Sequence, residues 1–253
     1  MKTIVVIPAR LQSTRLPRKI LLEIQGKPIV QWVYEKALAA DGIDAVFIAT
    51  DAEEIRDRCL SFTENIIMTS VDCQSGTDRI AEAAQQMEAE VIINVQGDEP
   101  QIPSEIITQL AAEFKSDSTL PMASVMTPIK RCETLNNPNN VKVITNQSGH
   151  AIYFSRSPIP FYRDRIEELQ SGYVPEDLQY FKHLGIYGYR KSFLLKYAQM
   201  APSYLEGVEK LEQLRAIENG YAIKMIETQH SPIGVDTLED FEKVKSLMET
   251  PNK

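Results

Sequence analysis

Ile4-Val5-Val6-Ile7-Pro8-Ala9-Arg10-Leu11-Gln12-Ser13-Thr14-Arg15-Leu16-Pro17-Arg18-Lys19 opens on an apolar run and then turns basic. The first four residues are all β-branched, which is the pattern of a strand buried on both faces in a parallel sheet. The cations Arg10, Arg15, Arg18 and Lys19 follow directly. In an open α/β sheet this is where ligands bind, outside the carboxyl ends of the strands. Small and hydroxyl residues (Ala9, Ser13, Thr14) let backbone N–H groups approach an anion. Arginine clamps phosphate oxygens bidentately, and lysine adds a compact charge. A solvated basic loop is the plain alternative, but its density and position favour an anion site. Neither a Walker A loop nor a dinucleotide G-x-G-x-x-G is present.

Outward from this segment, strands alternate with helices. Pro28 opens a helix with Ile29, Trp32, Val33, Lys36 (its stem only), Ala37 and Ala40 on one face. Ala45 to Ala49 reads as a strand, Ala52 to Leu60 as a charged helix and Asn65 to Met68 as a third strand. Ile80, Ala83, Ala84 and Met87 mark another helix, Val91 to Val95 a strand, and Ile106, Ile107, Leu110 and Phe114 a further helix. This order predicts an α/β fold with a mostly parallel, doubly wound sheet.

The second half changes character. Val141 to Thr145 and Ala151 to Ser155 read as a hairpin around Asn146-Gln147-Ser148-Gly149. Aromatic residues crowd positions 153–189. They suit a second core layer, a sugar-binding wall or a subunit interface. The expectation is one domain over 1–253 with a smaller mixed sub-region near 135–190.

With 253 residues, the chain can bury a large core without a staple. Lys and Arg total 27 against 35 Asp and Glu, a net charge of −8, which disfavours a nucleic-acid coat or a binder of anionic membranes. Cys59, Cys73 and Cys132 are odd in number and form no C-x-x-C pair, so a reducing cytoplasm is expected. The first apolar run is too short for a signal peptide, and no run approaches the ~18 apolar residues of a membrane span.

Two carboxylates stand out. Asp98, in Gln96-Gly97-Asp98-Glu99-Pro100, lies just past a buried strand and reads as a Mg²⁺ ligand or a turn residue. Asp236 precedes Thr237-Leu238-Glu239-Asp240, a capping box for a helix burying Leu238, Phe241, Val244 and Met248. From the residues alone, the cap reading of this segment leads. Glu209, Glu212 and Gln213 share one face of a helix backed by Leu205, Val208, Leu211 and Leu214. That face reads as exposed and polar, and a lone His183 as structural. No zinc set or G-x-S-x-G elbow is present.

Taken together, IPARLQSTRLPRK (Ile7 to Lys19), QSGTDR (Gln74 to Arg79), NVQGDEP (Asn94 to Pro100), NPNNVKV (Asn137 to Val143), YFSR (Tyr153 to Arg156), HLGIYGYR (His183 to Arg190), LEGVEKLEQLR (Leu205 to Arg215) and GVDT (Gly234 to Thr237) closely resemble the bacterial 3-deoxy-manno-octulosonate (KDO) cytidylyltransferases. The resemblance implies a GT-A-like nucleotidyltransferase fold, the reaction of CTP with KDO to give CMP-KDO and pyrophosphate, Mg²⁺, and a homodimer built partly from the aromatic segment. It implies triphosphate contacts from Arg10 and Lys19, helped by Arg15, and magnesium carboxylates in Asp98 and Asp236, all four of Arg10, Lys19, Asp98 and Asp236 being catalytic. Ala9, Gln74, Ser75, Gly76 and Arg79 would lie near the nucleoside. Gln96, Arg156, His183, Tyr187, Glu212 and Gln213 would line the sugar pocket.

The chain departs from the family pattern beside the lysine, with Arg18 where a small residue is usual and Ile20 where proline is frequent. Arginine disfavours positive φ, so the loop keeps ordinary dihedrals or closes differently. Two other readings stand: transfer to a related sugar acid, such as 8-amino-KDO or a sialic acid, and a silent nucleotide sensor on the same fold.

Overall fold

The computed structural model describes residues 1–13, 15–170 and 172–250. In chain order these form β1 (Thr3–Ala9), β2 (Glu23–Ile24), β3 (Lys27–Pro28), α1 (Ile29–Leu38), β4 (Ala45–Thr50), α2 (Glu53–Cys59), β5 (Ile66–Met68), α3 (Gly76–Gln85), β6 (Val91–Asn94) and α4 (Ser104–Ser116). Then come β7 (Met122–Pro128), α5 (Cys132–Asn136), β8 (Lys142–Thr145), β9 (Ala151–Ser155), β10 (Phe181–Arg190), α6 (Lys191–Tyr197), α7 (Tyr204–Glu209), α8 (Leu214–Glu218), β11 (Ile223–Glu227) and α9 (Leu238–Glu249). Among the described residues, no helix is long and apolar enough to cross a membrane.

The chain divides into two units, and the first is discontinuous: Met1–Ser116, Gly188–Ala198 and the described residues from Pro232 onward. Its strands run in the order β6-β1-β4-β5, and β1 is parallel to both of its neighbours. Every residue of β1 is buried, as its apolar run requires. Helices α1 and α4 pack together, as do α3 and α6, so apolar stripes such as Ile29, Val33 and Ala37 meet the sheet. This is the largely parallel α/β fold expected.

The second unit comprises Asp117–Tyr187 and Gln199–Ser231. In it β11 lies parallel to β7, and β8 is antiparallel to β9 and β10. The expected hairpin is present, with an irregularity at Ile144 and Thr145. The helix expected across Leu205 to Arg215 is not continuous. It stops at Glu209, Lys210 takes a left-handed conformation (φ 55°), and α8 begins at Leu214. The carbonyls of Glu209 and Lys210 accept from the Arg156 guanidinium at 2.7 and 3.3 Å instead of from the next helical turn.

Candidate active site

The basic loop leaves β1 after Ala9 and is closed at its base by the Arg18 N–H, which donates to the Leu11 carbonyl at 3.1 Å. Thr14, expected among the anion-binding residues, lies outside the described residues. Arg18 does adopt positive φ (60°), against the preference of an L side chain, and its guanidinium pairs with Glu54. Ile20, almost fully buried, anchors the short helical turn that carries Lys19.

Asp98 follows β6 across Gly97. A Cβ on Gly97 would lie 3.0 Å from the Pro8 carbonyl, so only glycine lets the two strand ends approach this closely. The Asp98 carbonyl accepts the Val235 N–H at 2.9 Å, and that bond places the next residue, Asp236, beside Asp98. Thr237 and Asp240 form the expected capping box at α9, so the cap and the carboxylate come from adjacent residues. The Asp236 side chain is turned to the cations: Lys19 donates to it at 2.9 Å and Arg15 lies at 3.0 Å. Lys19 also pairs with Asp98. Burial pushes the Lys19 pKa down, but Asp98 and Asp236 overcome this and raise it. Burial likewise works against ionised Asp236, yet the Lys19 hydrogen bond and charge, with Arg15, hold its pKa below the usual carboxylate value.

These residues line a cavity of about 300 Å³ with Arg10 and Gln96. Arg10, Gln12 and Ser13 also line a second cavity of about 750 Å³, together with Asp51, Val71, Cys73 and Arg79. Arg79 is fully buried, pairs with Asp51 at 2.7 Å and bonds Thr69, while its Nε–H has no partner among the described residues. Ser75 caps α3 through a box with Asp78, and Gly76 begins the helix. Gln74 is exposed and donates to the Asp72 carbonyl at 2.8 Å. Ala9 is buried and can offer a ligand only its backbone. Asp51 and Thr69 escaped sequence reasoning, because neither sits in a motif.

The remaining sequence-derived residues belong to the second unit. His183 on β10 is buried between the rings of Phe154 and Tyr187. The single hydroxyl hydrogen of Ser124 is directed at the carbonyls of Leu184 and Ile186, so Ser124 accepts from His183 Nε2 at 2.8 Å. Burial, with a smaller push from Lys182, lowers the His183 pKa to about 3, and the ring is neutral. Arg156 donates to the carbonyls of Glu209, Lys210 and Pro138. Gln213 is buried, and its Nε2 finds no partner among the described residues. Glu212 lies 4.0 Å from Arg215.

The family model described as cytidylyltransferase matches residues 4–227. The 3-deoxy-manno-octulosonate cytidylyltransferase of Geotalea daltonii is 47% identical over 245 residues, 96% of this chain and 97% of that protein. Its counterpart in Fusobacterium nucleatum is 44% identical over 253 residues, covering 100% and 99%. A solved structure of a CMP:2-keto-3-deoxy-manno-octonic acid synthetase complexed with CTP superposes with a TM-score of 0.90, at 41% identity over 98% of both chains.

Proposed function

Since this chain belongs to the cytidylyltransferase family, among the 3-deoxy-manno-octulosonate cytidylyltransferases, we propose that it converts CTP and KDO to CMP-KDO and pyrophosphate. The observation that carries this reading is the meeting of Lys19 with Asp98 and Asp236 in a cavity that Arg10 and Arg15 also line.

The anomeric hydroxyl of the sugar attacks the α-phosphate in line. A bond forms from that oxygen to phosphorus, the bond to the β-phosphate oxygen breaks, pyrophosphate leaves and the hydroxyl proton passes to solvent. Such transfer depends on positioning and charge neutralisation more than on covalent catalysis. Arg10, Arg15 and Lys19 bind the triphosphate and stabilise charge on the departing pyrophosphate. Arg79 and the Ala9 backbone, with the segment Gln74-Ser75-Gly76, face the nucleoside. Gln96, Arg156, His183, Tyr187, Glu212 and Gln213 serve the sugar acid. The Gln213 Nε2, without a partner among the described residues, supports this assignment, and the Nε2–H tautomer leaves His183 Nδ1 as an acceptor for a sugar hydroxyl.

The donor set fits Mg²⁺, because Asp98 and Asp236 already share one cationic group, and hard carboxylate oxygens are what this ion takes. Asp98 and Asp236 would hold it, and when bound it supplies charge neutralisation at the phosphates. The protein acts in the cytoplasm, where CTP is available, as a homodimer. Phe161, Tyr173 and Tyr204, each at least 70% exposed in the second unit, support the dimer.

The test is pyrophosphate release from CTP and Mg²⁺ with KDO, 8-amino-KDO and N-acetylneuraminate in parallel, with a chelator arm for the metal. Turnover with KDO and its loss on chelation are expected. CTP binding without turnover on any of the three would overturn the reading.

A further inference from the structure

Lys142 on β8 is completely buried, and no acidic side chain forms an ion pair with it among the described residues. Its Nζ donates to the carbonyls of Asn137 (3.2 Å), Asn140 (2.6 Å) and Arg156. An ammonium has three N–H donors, and three acceptors meet it here. A neutral amine would have two donors and would turn a lone pair on the remaining carbonyl.

What this nitrogen ties together is specific. It joins the 137–140 turn to the end of β9 at Arg156. Arg156 in turn donates through its backbone N–H to Glu209 Oε2 at 2.9 Å and through its side chain to Pro138, Glu209 and Lys210. Glu209 also accepts from Ser155 at 2.6 Å. The sequence from Leu205 to Arg215 carries the spacing of one continuous helix, and this clamp interrupts it. The interruption makes 210–213 a turn, in which Gln213 is buried and its amide nitrogen has no partner among the described residues.

We propose that Lys142 is a positioning residue for the sugar acid, a buried ammonium that sets Glu212 and Gln213 through Arg156 and Glu209; this rests on the function proposed above. The groups facing Lys142 are Arg156 from the end of β9, Glu209 from α7 and Lys182, opposite in register on β10. Tyr153 on β9 stays protonated, because its own burial and Glu209 raise its pKa. The 137–140 turn contributes no titratable group. Burial first and then Arg156 lower the Lys142 pKa to about 8, partly opposed by Glu209. Above that pH the ammonium gives way to the amine, and one carbonyl loses its donor.

The experiment measures KM for KDO and for CTP separately in the unaltered protein, Lys142→Met and Lys142→Arg, with hydrogen–deuterium exchange on each. Lys142→Met should raise KM for KDO about tenfold or more, leave KM for CTP within about twofold, and increase exchange across 209–213 but not 10–19. In the unaltered protein, KM for KDO should rise with a midpoint near pH 8 while KM for CTP stays flat. Lys142→Arg, charged throughout, should abolish that rise. If Lys142→Met fails to fold, the pH series on the unaltered protein decides. A KDO KM indifferent to both the substitution and pH would overturn the proposal while leaving the proposed function intact. If the unaltered protein turns over no KDO, the proposed function fails, and protection of 209–213 alone decides the role of Lys142.

Discussion

Lys19 and Asp236 lie far apart in sequence, yet the lysine ammonium donates to the carboxylate at 2.9 Å, with Asp98 on the same nitrogen. The lysine thus serves as an internal counterion for two acids that would otherwise repel. Lys19→Met should leave the carboxylates facing each other, and such a pair attracts a divalent cation more strongly. Mn²⁺ titration followed by paramagnetic resonance without nucleotide should show tighter binding, while turnover falls by about 10²-fold or more. Unchanged Mn²⁺ affinity would count against the counterion role.

Asp98→Asn should cost at least about 10²-fold in kcat, the scale of losing one strong electrostatic element. CTP binding by calorimetry should persist, because the basic loop remains. Near-normal turnover would remove Asp98 from the metal role.

Arg18 holds φ 60° where glycine carries no penalty, so Arg18→Gly should relieve strain of about 1–2 kcal/mol, part of which the freer unfolded chain offsets. A net gain of up to about 1 kcal/mol in urea unfolding is expected, with KM for CTP within about threefold. A loss of stability would show that the contact with Glu54 outweighs the strain.

A Cβ on Gly188 would collide with Phe114 Cε2, at the edge of a ring that is itself fully buried. Gly188→Ala should destabilise the protein by about 1–3 kcal/mol, the range for an overpacked core. Adding Phe114→Leu should recover part of that loss, and chemical denaturation of the single and double variants measures the coupling.

His183 is neutral in the folded state down to about pH 3, whereas its unfolded counterpart protonates near 6.5. Unfolding therefore takes up a proton as pH falls between these values, and stability declines. The contribution is about 1.4 kcal/mol per pH unit within that window and vanishes above it. His183→Gln should remove this part of the slope, read from unfolding curves at pH 4, 5, 6 and 7.

The first unit was readable because its strands are nearly pure in character. Ile4 to Ile7 and Val91 to Ile93 are buried on both faces and carry no polar residue to confuse the period. Strand β10 was not expected, because Gly185 and Gly188 dilute its signal, and β7 hides behind Ser124 and Thr127, whose burial depends on distant partners. Leu238, expected in the core, is exposed because it stands in the first turn of α9, and Phe241 and Val244 carry the packing. Asp98 and Asp236 were suggestive separately. Their adjacency rests on the Val235–Asp98 backbone bond, which no local pattern encodes. The break at Lys210 escapes the local pattern for the same reason, since the group that meets its carbonyl is the distant Arg156.

The discontinuity of the first unit also sets an order of events during synthesis. Lys19 and Asp98 leave the ribosome early and can pair one to one, a neutral couple with little pull on a divalent ion. Asp236 is translated only after the whole Asp117–Tyr187 and Gln199–Ser231 unit. A nascent chain can therefore assemble the parallel strands β6-β1-β4-β5 while lacking the second acid. Translation of α9 and its capping box is the step that completes the charge pattern, so the second carboxylate on Lys19 arrives last.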